Sequence, residues 1–131
     1  MSEILTTDLP SVRRSTRAAR RAAGVHVLVA DAEGATRSAR EEQLRAAGHR
    51  VSSARTAFEA LVKATCHLPD IILLDRALPD IETRDTIRIL NTCPVTAHIP
   101  VSRLSRGGTV PQRIMSELRR LARRAGLSRS S

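Results

Sequence analysis

Hydrophobic and polar positions alternate in blocks along this chain. Residues 25–30 (VHVLVA) form a short apolar, β-branched run that predicts a buried strand. A loop over 31–34 follows, then a helix over 35–47 stopped by Gly48. A short second strand is expected over 50–54, around Val51. Residues 57–68 are amphipathic: Ala57, Ala60, Leu61, Ala64 and Leu68 recur at helical spacing, and Pro69-Asp70 breaks the run. Residues 71–74 are four aliphatics in a row, the pattern of a strand covered on both faces at the centre of a parallel sheet.

The second half repeats the rhythm. Leu78-Pro79-Asp80 predicts a turn, 82–91 a helix with Ile87 and Leu90 inward, and 94–100 a loop. A fourth strand over 99–104 carries Ser102 and Arg103, which suits an edge position. After Gly107-Gly108, Thr109 and Pro111 open a final helix. Its inner face is Ile114, Leu118, Leu121 and Ala125, with Gly126 as the expected stop. Strict strand–helix alternation implies a doubly wound parallel α/β sheet, with its site at the carboxyl ends of the strands. Asp31, Asp75 and Ser105 fall at such ends.

Composition narrows the functional classes. With 131 residues, 41% hydrophobic, one domain with a true core is expected. Phe58 is the sole aromatic, so stacking platforms for single-stranded nucleic acid are excluded. The net charge of +9 is uneven: residues 1–22 carry +3, 23–102 carry −1 and 103–131 carry +7. The division that follows is a basic N-terminal extension (1–24), a core (25–106) and a basic C-terminal helix and tail (107–131). Basic ends suit an acidic partner, anionic lipid or nucleic acid, although 21 Arg to one Lys also reads as compositional bias. Cys66 and Cys93 form no CxxC, the four histidines are scattered, and no apolar run reaches membrane-spanning length; a reduced cytoplasmic protein without a membrane segment is expected. There is no nucleophile–base pair or phosphate-binding glycine loop, so an enzyme is not expected.

Five segments in order resemble the receiver domain of response regulators, a flavodoxin-like fold. VLVADAEGATR (27–37) is similar to VLIVDDEPxxR, AAGHRV (46–51) to AxGYxV, and FEAL (58–61) to GxEAL. PDIILLDRALPD (69–80) is similar to PDLIILDxxMPD, and HIPVSRLS (98–105) to xIPVIxLT. With only 26 residues after Ser105, four strands in the order 2-1-3-4 with a shortened C-terminal part are expected, and the resemblance covers about 80 residues. It implies a phosphoacceptor at Asp75, filled from a histidine kinase or a small phosphodonor. A Mg²⁺ ion would be held by Asp31, Asp75 and the Ala77 carbonyl, with Ser105 as switch hydroxyl.

The departures from that pattern are specific. Ala32 replaces the second metal acid, with Glu33 one position later; Arg106 replaces a small residue; no lysine follows Lys63; and no tyrosine or tryptophan exists. Mg²⁺ binding and phosphorylation are therefore expected to be weak or lost, and Ala32→Asp is expected to raise Mg²⁺ affinity. Three readings stay open: a weakly phosphorylated receiver in a phosphorelay, a phosphorylation-independent interaction module, and a small basic nucleic-acid-binding protein. Loss of a helix and a strand would uncover apolar sheet, so a homodimer or partner contact through residues 99–125 is expected.

Overall fold

A computed structural model describes residues 24–105 and 109–130, the side chains of the last helix only to Arg124. The elements are β1 (His26–Ala30), α1 (Gly34–Ala46), β2 (Arg50–Ala54), α2 (Ala57–His67), β3 (Ile71–Asp75), α3 (Thr83–Thr92), β4 (Val101–Leu104) and α4 (Gln112–Ser130). The four strands are parallel in the order β2-β1-β3-β4. No fifth strand follows β4 among the described residues. The basic N-terminal segment and Arg106 lie outside the described residues, apart from Gly24.

Alternating residues of each strand feed two apolar layers. Val27 and Val29 of β1, Ile71 and Leu73 of β3, and Leu104 pack with Leu44 of α1 and with Ile114, Met115, Leu118 and Ala122 of α4. Leu28, Ala30, Ile72 and Leu74 face Ala57, Ala60 and Ala64 of α2 and Leu90 of α3. Period-two alternation in fully covered strands accounts for this division. The alanines of α2 let that helix approach the sheet closely. Leu118 is fully buried, and with Ile114, Met115 and Ala122 it packs α4 onto the sheet of its own chain. Arg103 is exposed on the edge strand, as its charge demands.

Two expectations about helix ends fail for identifiable reasons. Leu68 does not complete the α2 stripe. It adopts the left-handed conformation (φ 47°, ψ 63°) as C-cap, and its N–H bonds to the Ala64 carbonyl. That turn directs the side chain outward, where it is 51% exposed. Gly126 does not end α4, which continues to Ser130; a helix-interior glycine costs only about 1 kcal/mol and stops a helix only where the chain turns back. Gly48, by contrast, follows α1 with φ 94° and does end it.

Candidate functional site

The carboxyl ends of β1 and β3 bring Asp31 and Asp75 together, as predicted, but a third side chain stands between them. Arg40, on the inner face of α1, is fully buried. Its Nη1 donates to Asp75 Oδ2 at 2.7 Å and to Asp31 Oδ2 at 3.1 Å. Its Nη2 donates to the Ser105 carbonyl at 2.7 Å, just past the end of β4. One guanidinium therefore ties the ends of three strands to one helix.

The remaining bonds hold the two acids in place. Asp31 Oδ1 accepts from the Glu33 N–H (3.0 Å) and Oδ2 also from Thr36 Oγ1 (2.5 Å), while Arg37 Nη1 donates to the Asp31 carbonyl (3.0 Å). Asp75 Oδ1 accepts from the Ala77 N–H at 2.8 Å, and the Asp75 carbonyl accepts from Thr83 Oγ1 at 2.8 Å. The loop that carries Ala77 is anchored further along, where Asp80 accepts from the Ala57 and Phe58 N–H groups, both at 2.9 Å, at the start of α2. Thr56 caps the same helix through the Glu59 N–H at 3.0 Å.

Each expected site residue has a definite place. Asp31 and Asp75 are buried and converge. Ser105 reaches the site through its carbonyl, not its hydroxyl; its side chain is exposed. Ala77 bonds Asp75 through its N–H. Glu33 is exposed and touches Asp31 only through its backbone. Lys63 sits elsewhere, its Nζ on the Ser53 carbonyl at 2.6 Å.

Arg40 and Thr36 are site residues that the sequence did not single out. A signal for Arg40 existed. Leu44 is the only large aliphatic residue in α1, and stepping back four residues from it along the buried stripe reaches Arg40 and then Thr36. An arginine on an inward stripe, beside two strand-end acids, is a candidate counter-ion.

The arrangement does not fit a divalent ion. The space between the two carboxylates holds a guanidinium that is always charged, and its positive charge opposes a second cation there. Ala32 supplies no oxygen ligand from its side chain, and no cluster of three metal-ligating side chains occurs among the described residues.

This chain resembles solved receiver structures along most of its length. It matches the N-terminal domain of a response regulator receiver protein from Methanoculleus marisnigri JR1 at 25% identity, covering 71% of this chain and 75% of that one, with a TM-score of 0.61. A putative response regulator from Chloroflexus aurantiacus J-10-fl matches at 21% identity, 76% and 98% coverage and a TM-score of 0.66. The chemotaxis response regulator CheY4 of Vibrio cholerae matches at 21% identity, 75% and 80% coverage and a TM-score of 0.60. The fold is that of a divergent receiver domain. No protein-family model matches the sequence, and no curated protein matches it. In this receiver fold Asp75 is paired with Arg40, and among the described residues one helix, α4, follows β4. No described helix is long and apolar enough to cross a membrane.

Proposed function

We propose that this protein is a signalling module of the receiver type that works without phosphorylation of Asp75. The observation that carries this reading is the Arg40 guanidinium, held at 2.7 Å from Asp75 Oδ2 and also bonded to Asp31. Phosphoryl transfer to a carboxylate needs a free attacking oxygen and a cation that strengthens its hold on the phosphoryl oxygens as charge develops. In this chain the cation is covalently part of the fold and already neutralises the attacking oxygen. It takes up that oxygen in a hydrogen bond, and its charge opposes a metal ion there.

Arg40 also supplies a tie that a phosphoryl group would otherwise have to make. It fixes the chain just past β4 by holding the Ser105 carbonyl. A surface built on that segment would stay in one arrangement, which suits constitutive binding to a signalling partner, a histidine kinase included, better than switched binding. The site's chemistry is thus structural, and the protein is not an enzyme in this reading.

The test is incubation with Mg²⁺ and acetyl phosphate, followed by intact-mass measurement of the wild type and of Asp75→Asn. The expected result is an unmodified mass for both. Rapid, stoichiometric labelling that disappears in Asp75→Asn would refute the reading and restore an ordinary phosphorelay receiver.

A further inference from the structure

The outward face of α4 is built almost wholly of arginine. Arg113, Arg119, Arg120, Arg123 and Arg124 are all exposed, while Ile114, Met115, Leu118 and Ala122 fill the opposite face. At about 100° per residue the five arginines share an arc of about 140°. Glu117, also exposed, is the one acid from residue 103 to the end of the chain.

Elsewhere on the described surface, unpaired arginines stand apart on different elements, as Arg55, Arg76, Arg88 and Arg103 do, and are not gathered on one helix face. Every surface lysine or arginine of α1 and α2 has an acidic partner: Arg37 and Arg45 share Glu41, and Lys63 pairs with Glu59. None of the five arginines of α4 pairs with an acid among the described residues; Arg119 bonds only to Ser116 Oγ, at 3.0 Å. Arg119–Arg123 and Arg120–Arg124 are like charges four residues apart, a spacing that destabilises a helix. Attraction to the helix C-terminus reaches only the last turn, and α4 runs to Ser130, so it accounts for none of the five.

We infer that the arginine face of α4 binds the phosphate backbone of duplex nucleic acid, independently of sequence and of the state of Asp75. Guanidinium groups are suited to paired hydrogen bonds with phosphate oxygens. From Arg113 to Arg124 the helix rises about 16 Å, enough to follow about five phosphates of one strand. The helix cannot sink into a groove on all sides, because its apolar face is packed on the sheet, so its exposed arc meets the backbone. Contacts of that kind position a protein without reading bases. The same packing argues against a membrane: an interfacial helix needs an apolar face for the lipid, and here the sheet holds it.

The experiment is fluorescence anisotropy of a labelled random-sequence duplex with the full chain, as a function of salt. The wild type is expected to bind with a log–log salt slope of about −4, as four or five phosphate contacts require. Arg113→Gln/Arg120→Gln/Arg124→Gln is expected to weaken binding at least about tenfold at low salt and to reduce the slope by about three. These positions are exposed, so thermal melting of the variant should match the wild type and separate loss of binding from loss of fold. Absence of wild-type binding, or a triple variant with unchanged affinity and slope, would overturn the inference. Tighter binding to poly-glutamate than to the duplex at equal salt would overturn it in favour of an acidic protein partner, and tighter binding to anionic vesicles in favour of a lipid surface. Addition of Mg²⁺ and acetyl phosphate should change nothing beyond the salt effect of the ions, whichever way Asp75 behaves.

Discussion

Arg40 and Asp75 are joined at 2.7 Å across thirty-five residues of chain, and both are buried. Asp31 completes a group of two carboxylates and one guanidinium at the carboxyl edge of the sheet. A buried pair broken from one side leaves a charge without a partner, and that is far more costly than never having had the pair. Arg40→Ala, which strands two carboxylates, should therefore cost about 3–5 kcal/mol in chemical denaturation. Asp75→Asn keeps the Arg40–Asp31 pair and an acceptor oxygen, so its cost should stay below about 2 kcal/mol. Equal losses from the two substitutions would show that Arg40 is not the common counter-ion.

Magnesium should leave the melting temperature of the wild type unchanged, because the guanidinium holds the place between the acids. For the same reason Ala32→Asp alone should not create a metal site, although the sequence pattern led to that expectation. Ala32→Asp combined with Arg40→Ala removes the competing charge and adds a hard oxygen ligand. The double variant should be stabilised by millimolar Mg²⁺ in differential scanning fluorimetry, and a flat response would argue against Arg40 as the excluding group.

Two histidines make stability depend on pH. His49 is buried against β1, where its Nδ1 accepts the Val25 N–H at 3.2 Å. Burial, helped by Arg119, lowers its pKa below the ordinary 6.5. Burial and Arg50 lower that of His26 against the opposing pull of Asp70. The unfolded chain thus takes up protons first as pH falls. Stability should be full above about pH 6.5 and decline below it, until the folded histidines also protonate. Denaturation midpoints across pH 7.5 to 4.5 would measure the decline. His49→Asn, which retains an acceptor near Nδ1, should make it shallower.

Leu68 is the only non-glycine residue with positive φ among the described residues, and its side chain is exposed. A left-handed leucine is strained by about 1–2 kcal/mol, and glycine relieves that at some entropic cost in the unfolded chain. Leu68→Gly should raise stability by roughly 0.5–1 kcal/mol. A loss in urea denaturation would show that Leu68 makes compensating contacts.

Leu118→Asp should unfold the protein rather than dissociate it, because Leu118 is buried beneath α4 within one chain. A carboxylate without a partner in that layer exceeds what a small domain can absorb. Circular dichroism together with sedimentation separates the outcomes, and a folded monomer would show that α4 does not sit on the sheet.

The strands, their order and their edge were legible in the sequence for a local reason. Aliphatic runs such as Ile71–Leu74, and helical recurrences such as Ala57, Ala60 and Ala64, are patterns within one element, and alternation of elements leaves few parallel topologies. Asp31 and Asp75 were legible too, since residues at strand ends of such a sheet must share one edge. The counter-ion was not. Arg40 lies in a mostly polar helix, where an arginine reads as solvated. Only the docking of α1 against β1 and β3, fixed by Leu44 in the apolar layer, turns that side chain inward onto two acids distant in sequence. Sequence thus determined which acids meet. Tertiary packing decided what lies between them, because a charge's partner is set by distance in space and not by position along the chain.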